Sequence, residues 1–196
     1  MAEQVVLIRH GETEWSASGK HTGRTDVPLN ETGHHQAIQL GRVVADETFA
    51  AVFSSPLSRA RETIERAGLG DPAVDLRDLM EWDYGAYEGR RTADIRVDTP
   101  GWSVWTHPIH DGESVEQVGT RADAVIARVL GIDGTVALSA HGHFLRILAA
   151  RWLELPAETG CRLALDTATV SELGWERDNR VIRRWNQGCH LQSVDS

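Results

Sequence analysis

The sequence predicts a three-layer α/β/α fold around a mostly parallel central sheet. Two observations carry that reading. Short apolar runs at 5–8, 49–53 and 135–139 read as buried strands. Segments with apolar residues at helical spacing separate them, and strands that alternate with helices form parallel neighbours through crossover connections.

The elements follow in order. Val5, Val6, Leu7 and Ile8 form the first strand, which runs directly into Arg9-His10-Gly11-Glu12-Thr13. Residues 11–29, rich in Gly, Thr and Ser, read as a long loop. Asn30-Glu31-Thr32-Gly33 opens a helix to about Glu47, with Ala37, Leu40, Val44 and Ala45 near helical spacing. The strand Phe49–Phe53 ends in Ser54-Ser55-Pro56, where Ser55 suits an N-cap and Pro56 a first helical position, with the helix running from Leu57 to about Ala67. Residues 75–112 are less regular and carry Trp82, Tyr84, Tyr87, Trp102 and Trp105, so they read as a lid or specificity segment. Ser114 and Gln117 fit a capping box for a helix whose apolar face is Val118, Ala122, Val125, Ile126 and Val129. The strand at 135–139 leads into Ala140-His141-Gly142-His143 and a helix from about Phe144 to Leu153. Strand-like runs at 162–165, 168–173 and 181–185 complete the chain. With no repeat or linker, one domain over 1–196 is expected.

Composition narrows the partners. The formal net charge is −9 and no basic stripe is visible, which argues against a nucleic-acid partner. It also makes any local cluster of arginines informative. Cys161 and Cys189 are too few for a disulfide framework and suit a reducing compartment. No apolar stretch approaches the roughly 18 residues of a membrane span, and no leader pattern opens the chain, so no membrane partner and a cytoplasmic location are expected.

Arg9, His10, Arg59 and His141 form the candidate constellation. Two histidines follow strands, and Arg59 falls in the first turn of the helix that begins near Pro56. Guanidinium forks and a helix N-terminus both suit a phosphoryl group. Alone, Arg59 reads as a surface residue pairing with Glu62 or Glu65, and each histidine as a structural one.

The run Val6-Leu7-Ile8-Arg9-His10-Gly11-Glu12-Thr13-Glu14-Trp15 resembles the R-H-G signature of the histidine phosphatase superfamily, which includes the phosphoglycerate mutases. Thr22-Gly23, Pro28-Leu29, Ser54 to Ala60, Glu81 to Gly85, Gly112-Glu113-Ser114 and His141-Gly142 follow in the family's order. The resemblance implies a phosphoglycerate mutase-like fold and a nucleophilic role for His10, which becomes a phosphohistidine. It gives Arg9, Arg59 and His141 the phosphoryl oxygens, and Glu81 the work of general acid and base. Trp82 and Tyr84 would desolvate Glu81; Glu12 and Asp83 are weaker rivals for its role. Thr22, Gly23, Tyr84 and Gly142 are implied in substrate binding, with Ser16 where many members have asparagine. Neither metal nor cofactor is implied, and a homodimer is common among members.

The segment between 89 and 112 is shorter than in cofactor-dependent mutases, and Thr92 stands where a mutase lysine is expected. That favours a phosphatase acting on a small phosphorylated sugar, bisphosphate or glycolytic acid, with a mutase as the alternative. Residues 15–23 and 81–89 look similar to mycobacterial-type acid phosphatases and to sedoheptulose-1,7-bisphosphatase-like members. Trp102, Trp105 and His107 are candidates for the specificity side of the pocket or for its packing. Two other classes compete: a metallohydrolase built on His10 and the His141-Gly142-His143 pair, and an inactive phosphate-binding protein.

Overall fold

A computed structural model describes residues 2–71 and 73–191. Its elements are β1 (Ala2–Arg9), α1 (Glu14–Ala17), α2 (Glu31–Val44), β2 (Ala51–Ser54), α3 (Ser58–Arg66), β3 (Val74–Asp75), α4 (Thr92–Asp98), α5 (Val115–Leu130), β4 (Gly134–Ala140), α6 (Gly142–Trp152), β5 (Val170–Glu176) and β6 (Asn179–Gln187). They form one six-stranded sheet in the order β3-β2-β4-β1-β5-β6. The first four pair in parallel; β5 runs antiparallel to β1, and β6 antiparallel to β5.

The strand period of two explains the layers. In β1, Val5 and Leu7 face the core that includes Val118, Val125 and Leu148 of α5 and α6. Val6 and Ile8 face the core with Leu40, Val44 and Ile64 of α2 and α3. Both faces are therefore apolar, as a sheet covered on both sides requires. The expected three-layer, mostly parallel architecture is what the chain adopts.

Several local expectations shift. Helix α3 begins at Ser58, with Leu57 rather than Ser55 at its N-cap. Pro56 lies outside it, and the Ser58 amide and hydroxyl donate to the Asp26 carboxylate at 2.9 and 2.8 Å. This N-terminus is already occupied by an anion from the loop, so it is not a phosphoryl seat. Helix α6 begins two residues earlier than expected, with His141 as N-cap. The 162–165 run is not a strand; the chain makes a 3₁₀ turn at Ala157–Arg162 instead. The 75–112 segment contains α4 and two further 3₁₀ turns. Trp82 and Trp102 are fully buried in the core. The Ser114–Gln117 capping box forms as expected. Among the described residues no helix is long and apolar enough to cross a membrane.

Gly11 and Gly33 are fixed as glycines by packing. A Cβ there would lie 2.6 Å from the Gly33 carbonyl oxygen, and one on Gly33 would lie 2.1 Å from that of Glu12. The two glycines let the loop after β1 pack against the first turn of α2. In an open helix Gly→Ala stabilises by about 1 kcal/mol. Here Gly33→Ala should reverse that sign and destabilise by about 1–3 kcal/mol through overpacking. Urea unfolding of the variant checks it.

Candidate active site

The parallel register brings the two histidines together. Arg9 of β1 lies opposite Ala140 of β4, so His10 and His141 leave neighbouring strand ends. The His10 amide donates to the Ala140 carbonyl at 3.1 Å, and the two imidazoles sit 5.1 Å apart, centroid to centroid.

Each ring has its tautomer set by its neighbours. His10 Nδ1–H donates to the Gly11 carbonyl at 2.7 Å, which leaves Nε2 bare. Arg59 Nε–H donates to His141 Nδ1 at 3.1 Å, so the neutral His141 carries its proton on Nε2, 2.7 Å from Ser55 Oγ. Burial, reinforced by Arg59, holds both imidazoles well below their ordinary value. Arg9 adds to the effect on both.

Arg59 is 0% exposed, and among the described residues it has no carboxylate partner. Besides His141 it donates to the carbonyls of Thr22, Gly23 and Thr25. Four of its five N–H groups are thus used, and Arg59 braces the 22–25 loop as well as the histidine. Glu88 holds that loop from the other side through the amides of Arg24 and Thr25. Arg9 donates from Nη1 to the Leu165 carbonyl, while its Nε is buried without a partner among the described residues. An unsatisfied buried donor is costly, and this one lies against Gly142, where a Cβ would come within 3.3 Å of it.

Glu81 is 5% exposed. Its Oε1 accepts from the amides of Trp82 and Phe144, and its Oε2 from that of His143. Two of these three donors belong to the first turn of α6, so this helix N-terminus holds a side chain of the protein. The segment before Glu81 is tied down by Arg121, which donates to the carbonyls of Asp78 and Met80 and pairs with Glu113 at 2.8 and 2.9 Å. Burial pushes the Glu113 carboxyl up, but Arg121, the Asp83 amide and Arg24 together offset it and leave it below its ordinary value.

A cleft of about 280 Å³ is lined by Arg9, His10, Ser16, Thr22, Glu81, Tyr84 and Gly142, which the sequence singled out. Arg59, His141 and Gly23 lie beneath it rather than on its wall. The Ser16 hydroxyl is engaged in the capping box of α1 with Thr13. Of the rivals to Glu81, Glu12 accepts from Asn30 and Asp83 faces Arg24; neither lines the cleft. Trp105 and His107 line a separate groove with Val104 and Pro108. Sequence reasoning missed Lys20, His21, Arg146 and Leu165 on the cleft wall, and weighed His143 only as a metal ligand. His143 Nδ1 instead hydrogen-bonds Tyr84 Oη at 2.6 Å, and His21 Nε2 meets Thr92 Oγ1 at 3.1 Å. Among the described residues no three His, Cys, Asp or Glu side chains gather as metal ligands.

Comparison with known proteins gives matches over nearly the whole chain. A model of the histidine phosphatase superfamily (branch 1) matches residues 5–188. An acid phosphatase of Mycobacterium tuberculosis is 42% identical over 97% of this chain and 96% of its own. Sedoheptulose 1,7-bisphosphatase of Saccharomyces cerevisiae is 31% identical over 82% of this chain and 71% of its own. A solved structure of a Mycobacterium tuberculosis open reading frame superposes with a TM-score of 0.88 at 40% identity, covering 94% of this chain and 97% of that one.

The buried imidazoles of His10, His141 and His143 all sit well below their ordinary value, with burial the first cause. The unfolded chain therefore binds more protons as pH falls below about 6.5, so stability present above that pH is lost below it. Each fully neutral imidazole contributes up to about 1.4 kcal/mol per pH unit. Urea unfolding should show a clear fall in stability from pH 7 to pH 5; a flat profile would mean these rings fold in their charged form.

Proposed function

The chain belongs to the histidine phosphatase superfamily, and on that premise we propose that it hydrolyses phosphomonoesters of small phosphorylated metabolites through a phosphohistidine at His10. The observation that carries the reading is the His10 tautomer: Nδ1–H is committed to the Gly11 carbonyl, and the bare Nε2 belongs to a ring on the cleft wall. A neutral imidazole with that free lone pair is a competent nucleophile.

In the first half-reaction Nε2 forms a bond to phosphorus as the ester P–O bond breaks. Glu81 protonates the departing alkoxide. Arg9 and Arg59, with the neutral His141 beside them, stabilise charge on the equatorial oxygens, where phosphoryl transfer gains most of its rate. In the second half-reaction water attacks the phosphohistidine and Glu81 accepts its proton. Inorganic phosphate leaves and His10 is restored.

His10→Ala should reduce hydrolysis of p-nitrophenyl phosphate by at least about a thousandfold while circular dichroism stays unchanged; substantial residual turnover would remove His10 from the nucleophile's place. Glu81→Gln should slow alkyl phosphates far more than aryl phosphates, whose leaving groups need little protonation. Equal losses on both would mean Glu81 is not the acid. Assay of 3-phosphoglycerate with 2,3-bisphosphoglycerate, scored for isomer against free phosphate, tests the mutase alternative.

A further inference from the structure

The arginines of this chain divide in an informative way. Six are partly buried and have a carboxylate within 4 Å: Arg24, Arg61, Arg90, Arg121, Arg151 and Arg180. Three others are equally withdrawn from solvent and, among the described residues, have none: Arg9, Arg59 and Arg146. Arg9 and Arg59 surround His10. Arg146 lies on the wall of the same cleft and has no part in the chemistry described above.

Arg146 is held in place. Its Nε donates to the Gly160 carbonyl at 3.1 Å, one Nη2–H donates to the Cys161 carbonyl at 3.3 Å, and its guanidinium lies 4.7 Å from the Trp105 ring centroid. Three of its five N–H groups remain without a protein partner among the described residues. Restraint by carbonyls and an aromatic face fixes the fork without neutralising it. In a chain of net charge −9, a withdrawn cation with free donors is a site for an anion from outside.

Its position on α6 sets where that anion sits. Gly142, at the start of α6, lies against the Arg9 guanidinium: a Cβ there would meet Arg9 Cζ at 3.3 Å. Arg146 is four residues further on, on the same helical face and about 6 Å along the axis. Lys20 lines the same cleft and has no acid within 4 Å among the described residues. Among the described residues Glu81 is the only carboxylate on the wall, and main-chain amides already occupy it.

We propose that Arg146, supported by Lys20, forms a second anion subsite about one helical turn from the phosphoryl site, so that the preferred substrates are short phosphomonoesters bearing a second anionic group. A carboxylate and a second phosphate share this chemistry. The proposal rests on the phosphomonoesterase reading, and its test separates the two.

Binding is measured calorimetrically on the His10→Ala protein, where turnover does not interfere, with two matched pairs. Glycerol 3-phosphate against 3-phosphoglycerate adds a carboxylate; fructose 6-phosphate against fructose 1,6-bisphosphate adds a phosphate. The doubly anionic member of at least one pair should bind tenfold or more tighter, and which pair responds identifies the anion. Arg146→Met, which keeps an unbranched stem against Trp105, should bring that ratio below about threefold when added to His10→Ala. Equal affinities within both pairs, or a ratio that survives Arg146→Met, overturn the subsite. Should the ratio appear as expected while the unsubstituted protein hydrolyses none of the four compounds nor p-nitrophenyl phosphate, the subsite stands and the hydrolase reading falls.

Discussion

The fully buried Arg59 guanidinium is the constraint on which the rest of the site depends. It reaches from the first turn of α3 to His141 at the end of β4 and to three carbonyls of the 22–25 loop. Among the described residues no carboxylate pairs with it, so its charge is solvated by main-chain dipoles and an imidazole. Removing one partner of such a group leaves a buried cation under-satisfied, which is why the loop, the helix start and the strand end must be assembled together. The same charge helps keep His10 neutral. One side chain thus joins the folding of three segments to the electronic state of the nucleophile.

The site is a set of charges arranged with few direct neutralising pairs. The Glu81 carboxyl is held by amides, His10 and His141 by carbonyl, hydroxyl and guanidinium partners, and Arg9 by a single carbonyl, with four of its five N–H groups without a partner among the described residues. Pairing is kept for the scaffold around them, where Arg121 and Glu113 bind each other in a fork and pin the segment that delivers Glu81. Carboxylates beside the arginines would stabilise the empty site and repel a phosphate. Dipoles can order those cations without cancelling them.

Much of this was legible in the sequence. The β1 run and its Arg9-His10 terminus, the strand before His141 and the capping box at Ser114 are local patterns, and locality is what a pattern reports. The meeting of His10 with His141 followed from parallel pairing once both lay at strand ends. Other features depend on residues far apart in the chain and had no local signal. Asp26 displaced Ser55 as the cap of α3 from thirty-two residues away in sequence. Gly11 and Gly33 are needed for the packing of two segments against each other, which neither segment shows by itself. Arg146 read as one more residue of a helix, because its significance lies in the absence of an acid beside it, which no sequence window displays.

Lys20 is the only lysine in the chain, and it stands exposed at the wall of the cleft. Every other side-chain cation at neutral pH is a guanidinium, apart from any protonated imidazole. Reagents that acylate or reductively alkylate amines have the α-amino group and this one side chain to attack. For this protein, lysine acetylation falls at the cleft wall, and amine labelling or coupling reaches the cleft wherever it does not take the α-amino group.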